Sequence, residues 1–466
     1  MRHAHELVDW IEEYLSEVER YPVRARTTPG AIAAALPASA PQTGEPLDEI
    51  LRDARELLVP GITHWQHPAF FAYFANTGST PGILGELLTA AFNVNGMLWA
   101  TSPAATELEQ VTVRWLAELL GLGDGWFGQI TDTASTSTLL ALAAARDADP
   151  SLDVRGRGLA GRADIKALRV YCSELAHSSV DKAVMTLGIG HTNLGRIPVD
   201  ERFAMRPDAL AQAIAADRAA GMRPVAVVAT VGTTSVASVD PVAAIADVCA
   251  QERVWLHVDA SYGGAAAVAP EMRRVLDGVQ RADSVVVNPH KWLFVPVGSS
   301  VLWVRNADAL RRAFTLVPEY LRTNAGDVVD FHDVGFQLGR PFRALKLWMV
   351  LRAYGADGLA EIIRRHCGFA QQLASWVRAT PDWIVAAPVR LSLVCVRYAP
   401  ARLTPEEADA LNMRMMERVN AGGRELISHT KVGGRVILRV AIGSARTEER
   451  HVRGAWEALL EATQNP

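Results

Sequence analysis

Cysteine is scarce in this sequence, and what there is lies scattered. Cys172, Cys249, Cys367 and Cys395 are the four in 466 residues, with no CxxC spacing and no Cys/His cluster. That pattern argues against a disulfide framework and a zinc site, so reduced thiols and no metal are expected. Long apolar runs are missing too, and no window approaches the roughly 20 residues of a membrane-spanning helix. The N-terminal stretch MRHAHELVDWIEEYLSEVE is acidic and amphipathic, unlike the basic-then-apolar pattern of a secretory leader. The expected location is cytoplasmic, with no membrane partner. Nor does one sign of charge dominate: 47 Lys and Arg stand against 51 Asp and Glu, a formal net of −4, with no basic block. A nucleic-acid-binding surface is therefore not expected.

What is present is an ordinary globular composition, 49% hydrophobic and 21% charged, in a chain long enough for more than one domain. Residues 5–20 place Leu7, Val8, Ile11, Leu15 and Val18 at helical spacing, and the Pro-rich stretches PVRARTTPG and LPASAPQTGEP follow. Residues 1–79 read as an arm of helices and extended chain. Its apolar stripe lies either on a partner subunit or on the chain's own core. Farther on, short β-branched runs alternate with Ala-rich helices: ALRVYC, PVAVVATVG, VWLHVD, DSVVVN and SVLWVRN. This predicts an α/β domain over 80–345, a mostly parallel sheet with helices on both faces. Residues 346–466 predict a smaller α+β unit.

In open parallel sheets the ligand crevice lies beyond the carboxyl ends of the strands. His177, Thr233, Thr234, Asp259 and Lys291 all follow or end predicted strands. Lys291, in SVVVNPHKWLF, has apolar sequence on both sides. It reads either as a loop lysine whose stem lies on apolar surface, or as a desolvated amine with a lowered pKa, able to form an imine with a carbonyl. A carboxylate and a lysine at strand ends suit pyridoxal 5'-phosphate (PLP), whose ring nitrogen needs an acid and whose aldehyde needs an amine. As a bare pair they are not specific.

The surrounding phrases are specific. FFAYFANTGSTPGIL, WATSPAATELEQ, CSELAHSSVDKA, VATVGTTSVASVD, HVDASYGG, NPHKWLF and LGRPFRALKLW, in this order and spacing, resemble the group II PLP-dependent aromatic-L-amino-acid decarboxylase family over nearly the whole chain. The resemblance implies a fold type I PLP enzyme with a seven-stranded sheet. It also implies a homodimer with active sites at the interface, and loss of CO2 from an aromatic amino acid. It makes Lys291 the Schiff-base lysine, Asp259 the partner of the pyridinium nitrogen, and His177 the ring-stacking histidine. Thr133, Ala134 and Ser135 become phosphate ligands at a helix start, with Thr234, Asn288 and His290 as further cofactor contacts. Gly339 would reach the phosphate across the dimer. Tyr320, in TLVPEYLRTNAG, is the implied proton donor to Cα. Trp65, Tyr73, Phe74 and Thr77 are implied in the substrate pocket, with Asn95 and Met97 contributed by the other subunit.

The chain also departs from the family wording. Asp132, Thr133, Ala134, Ser135 and Thr136 stand where a Gly-Ser-Ala-Ser-Glu run is usual. Asn76 is inserted near the pocket, and the loop after Tyr320 is shorter than in animal members. An aromatic pocket wall favours an aromatic substrate without choosing among Phe, Tyr, Trp and DOPA. Alternative readings are an aromatic acetaldehyde synthase, which consumes O2 and releases peroxide, or decarboxylation of a non-aromatic amino acid. Aldehyde-forming relatives can carry Phe at the loop tyrosine or lack the histidine, and this chain has both Tyr320 and His177. Desulfuration lacks a suitable cysteine in these phrases, and the intact residue set argues against a binding-only homologue.

Overall fold

The computed structural model describes residues 2–316 and 328–464, so Tyr320 lies outside the described residues. The chain divides into two compact units, one of residues 76–368 and 387–391, the other of 1–75, 369–386 and 392–466.

The larger unit is built on a seven-stranded sheet of β1 (Phe127–Thr131), β2 (Leu168–Ser173), β3 (Leu194–Ile197), β4 (Arg223–Thr230), β5 (Trp255–Asp259), β6 (Ser284–Val287) and β7 (Ser300–Val304), in the order β1-β7-β6-β5-β4-β2-β3. Neighbours pair in parallel from β6 through β5, β4 and β2 to β3, while β7 runs antiparallel to both β6 and β1. This is the seven-stranded, mostly parallel sheet that the resemblance implies. β6 and β7 are buried along their whole length, and β4 is buried after its first residue. That is why their sequences are continuous apolar runs rather than alternating ones. The helix Ala134–Asp147, rich in Ala and Leu, packs across the middle of the sheet. Pro207–Ala219 and Val242–Glu252 cover β4. β1 is an edge strand, paired on one side by β7.

The smaller unit has a four-stranded antiparallel sheet of β8 (Trp383–Val385), β9 (Leu393–Tyr398), β10 (Ser428–Val432) and β11 (Arg435–Ala441), in the order β10-β11-β9-β8. A capping box starts its helix Pro405–Gly422, with the Thr404 hydroxyl accepting from the Glu407 N–H and the Glu407 carboxylate accepting from the Thr404 N–H. Part of the N-terminal segment is stitched to this unit. Val23 N–H donates to Gly423 O (2.8 Å), Phe71 N–H to Leu426 O (2.8 Å) and Leu426 N–H to Ala69 O (3.1 Å). Val8, Leu36, Leu47, Ile50, Leu58 and Ile62 are exposed.

Backbone crowding fixes the turn that follows β4. Gly232 has φ +90°, and a Cβ there would lie 2.9 Å from the Gly263 nitrogen, in the turn that follows Asp259. Gly232→Ala therefore combines left-handed strain with overpacking, a cost of about 2–4 kcal/mol. A fall in the urea midpoint should report it, and an unchanged midpoint would show that the turn yields freely.

Candidate active site

The C-terminal ends of adjacent strands bring the chemistry together. Asp259 ends β5, level in the sheet with Thr230 of β4 and Val286 of β6. Its carboxylate is buried, and Oδ1 accepts from the Ser261 N–H (3.1 Å) and from the Ser261 hydroxyl. Asn288 follows β6 and starts the one-turn helix Pro289–Trp292, which carries Lys291; the Lys291 N–H donates to Asn288 O (3.0 Å). Burial pushes the Lys291 amine below its usual range, and the charge of Asp259 acts in the opposite direction. The apolar flanks belong to the core: Trp292 stacks on Tyr262 at 4.9 Å, and Phe294 is fully buried. Phe294 has φ +59°, an uncommon conformation for a bulky residue, and its carbonyl accepts from the Ser79 N–H (2.9 Å).

His177 follows β2. Its Nδ1 accepts from the Ser179 N–H (3.1 Å) and lies 3.0 Å from the Ser179 hydroxyl. An amide N–H can only donate, so in the neutral ring the proton belongs on Nε2. Burial lowers the imidazole pKa, with Asp259 pulling it up and Lys291 pushing it down. His177, Asp259 and Lys291 thus share one electrostatic neighbourhood. His290, next to the lysine, is buried and pushed down to about 4, mainly by burial; its Nδ1 accepts from the Ser299 N–H (3.2 Å).

Thr133, in extended conformation, is the N-cap of Ala134–Asp147, and its side chain makes no capping hydrogen bond. Its own N–H donates to Asp132 Oδ1 (2.8 Å). The first-turn amides of Ala134, Ser135 and Thr136 form the positive end of a long helix, and Ser135 is exposed there. Thr234, after β4, is also exposed. Gly339 is exposed with open space around it. It lines a cavity of about 440 Å³ with Glu86, Asn95 and Arg340.

The residues predicted on the substrate side are divided between the units. Trp65, Tyr73 and Phe74 belong to the smaller one. Trp65 stacks on Phe70 at 4.3 Å and lies 6.0 Å from the Tyr73 ring. Tyr73 is 59% exposed with φ +55°, while Phe74 is buried with the Arg439 guanidinium 5.5 Å from its ring centroid. In the larger unit Thr77 is fully buried, Asn95 Oδ1 accepts from the Arg340 N–H (2.9 Å), and Met97 O accepts from the His332 N–H (3.2 Å).

Residues with supporting parts went unmarked in the sequence reading. Ser179 and Ser261 each stand two positions after the side chain they orient, a spacing visible in AHSS and VDAS. Glu109 and Arg340, a buried ion pair at 2.7 Å, lie far apart in sequence, and nothing local announces them.

Comparison with known proteins agrees with this geometry. The model of the pyridoxal-dependent decarboxylase conserved domain matches residues 29–399. The chain belongs to the pyridoxal-dependent decarboxylase family. It is 40% identical to tryptophan decarboxylase 2 of Oryza sativa subsp. japonica, over 99% of this chain and 94% of that protein. It is 39% identical to a phenylacetaldehyde synthase of Arabidopsis thaliana, over 98% and 94%. The crystal structure of Oryza sativa TDC with PLP and tryptamine superposes with a TM-score of 0.95 at 40% identity, covering 99% of this chain and 97% of that one.

The residues present in this decarboxylase-family chain fit PLP. A desolvated amine, a buried carboxylate and an open helix N-terminus match its aldehyde, ring nitrogen and phosphate in kind. Beside them, Ser173 Oγ, Thr230 Oγ1 and Asn288 Oδ1, at the ends of β2, β4 and β6, are buried with no hydrogen-bond partner among the described residues. Orphaned polar atoms at neighbouring strand ends suit a polar ligand.

A lowered pKa means that the Lys291 amine becomes neutral at a lower pH than an ordinary lysine. In cofactor-free protein, the pH profile of acylation at Lys291, followed by mass spectrometry, should have its midpoint below the ordinary lysine range. A midpoint within that range would show that the amine is not desolvated.

Proposed function

We propose that this enzyme binds PLP on Lys291 and releases CO2 from an aromatic L-amino acid, giving the corresponding amine. The observation that carries the reading is the convergence of a desolvated Lys291, a buried Asp259 and a neutral His177 at neighbouring strand ends in a chain of the pyridoxal-dependent decarboxylase family. When bound, PLP supplies the electron sink that makes loss of the carboxylate possible. The protein holds and orients. The Lys291 amine would bond the cofactor's aldehyde carbon, Asp259 would hold a proton on the ring nitrogen, and His177 would lend an uncharged aromatic ring. The Thr133–Ser135 turn would take the phosphate, with Thr234, Asn288 and His290 as further contacts and Gly339 supplied by a second subunit. Trp65, Tyr73, Phe74 and Thr77, with the partner's Asn95 and Met97, would surround the substrate side chain. Tyr320 would return a proton to Cα.

A homodimer is part of this reading, and an unpartnered apolar stripe supports it. On the helix Thr80–Phe92, Leu84, Leu87, Leu88 and Phe92 are all exposed and spaced to share one face. Such a stripe suits burial against a second copy, as do the exposed apolar residues of the N-terminal segment. The four cysteines, none of them in a disulfide, suit the reducing cytoplasm. No helix among the described residues is long and apolar enough to cross a membrane.

Likeness to a phenylacetaldehyde synthase favours a second reading, oxidative release of aldehyde. Parallel assays with L-Phe, L-Tyr, L-Trp, L-DOPA and L-Glu, following CO2, amine, aldehyde and peroxide, separate the two. CO2 with equimolar aromatic amine is expected, whereas aldehyde with peroxide would transfer the assignment to the synthase. Lys291→Ala should abolish both turnover and absorbance above about 400 nm from the bound imine. Tyr320→Phe should cut amine output about 100-fold, the scale of a lost general acid, and divert product to aldehyde. Amine output at the wild-type rate would remove Tyr320 from its role. Light scattering should give a dimer, and an active monomer would overturn the shared site.

A further inference from the structure

The outer edge of β1 carries a device that neither the reaction nor the core requires. Among the described residues no strand covers that edge, yet the backbone of Ile130 is paired there. Its N–H donates to Glu109 Oε1 (2.7 Å) and its carbonyl accepts from Arg340 Nη2 (3.0 Å). The same guanidinium nitrogen donates to Glu109 Oε1 (2.7 Å), closing a ring of three hydrogen bonds. Both side chains are only 6% exposed. Arg340 is fixed at its main chain as well, donating to Asn95 Oδ1 (2.9 Å) and accepting from the Gly96 N–H (2.8 Å). An ion pair thus stands where the next strand would be.

Burying two charges is a poor way to gain stability, because desolvation offsets the attraction. A closed ring of charge-assisted hydrogen bonds instead supplies position. Ile130 is three residues before Thr133, and Arg340 is next to Gly339. We propose that the Glu109–Arg340 pair is a positioning device at the cofactor phosphates, tying the Thr133–Ser135 turn of one site to the segment whose Gly339 serves the other. This rests on the assignment of the phosphate to that turn.

The test compares PLP with pyridoxal, which lacks the phosphate, by fluorescence titration of the full-length apoenzyme. Glu109→Gln keeps the shape and removes the charge. It should lower the PLP-over-pyridoxal affinity ratio by about 10- to 100-fold, the scale on which outer-shell partners act on a bound group, with pyridoxal affinity little changed. Arg340→Lys keeps the charge without the planar fork; it should lower the ratio by a smaller factor and serves as the readout if Glu109→Gln does not fold. Ser135→Glu, which sets a negative charge in the turn, tests the underlying assignment. If it collapses the ratio while the pair variants leave it unchanged, the positioning role is wrong and the phosphate site stands. If Ser135→Glu leaves the ratio intact, the phosphate site itself is wrong. Parallel loss of both ligands in the pair variants would mean general loosening and would also overturn the proposal.

Discussion

The constraint on which the rest depends is electrostatic: an amine and a carboxylate held out of water at neighbouring strand ends. Desolvation pushes Lys291 toward its neutral form while the charge of Asp259 opposes that change. A lysine left alone in such a place would be costly. One fully neutralised by contact with a carboxylate would be locked as an ammonium and useless as a nucleophile. The sheet resolves this by placing the two on separate strands, β5 and the turn after β6. Asp259 is also held locally by Ser261, while its charge opposes the effect of burial on Lys291.

The parallel sheet makes this economical. Strands β2, β4, β5 and β6 all point their carboxyl ends the same way, so one residue or one turn per strand suffices to assemble His177, the Thr233–Thr234 turn, Asp259 and Lys291. The strand bodies beneath the site are buried. Even His257, two residues before Asp259 and wholly buried, is pushed down to about 4 by its surroundings. Low dielectric below and oriented serine donors beside the charged groups make each interaction count for more than it would in water.

How much of this was legible in the sequence depended on the range of the interaction. The strands announced themselves because buried parallel strands are short β-branched runs, and the strand-end rule then placed Asp259 and Lys291 correctly. Local devices were readable in principle, since Ser179 and Ser261 each follow their client by two residues. The antiparallel β7 was not legible, because SVLWVRN is as apolar as its parallel neighbours and direction leaves no mark on composition. Glu109 and Arg340 were equally silent. A buried charge on an amphipathic helix looks like any solvated one until its partner, 231 residues away, is in place.

Asp132 shows how an unexpected residue can be accommodated at the helix that opens the site. A carboxylate beside the turn proposed for the phosphate would repel it, yet here it accepts from the Thr133 N–H and so serves one of the donors that a bare helix start leaves open. Its field also acts favourably on the half-buried Arg343 guanidinium and on His290. Asp132 therefore serves a donor at the helix start and lies within electrostatic reach of the Arg343 guanidinium. A turn already carrying one negative charge binds a second only if its remaining donors are held in place. On the proposed phosphate assignment, the rigidity of the β1 edge then matters more in this chain than it would in one with glycine at position 132.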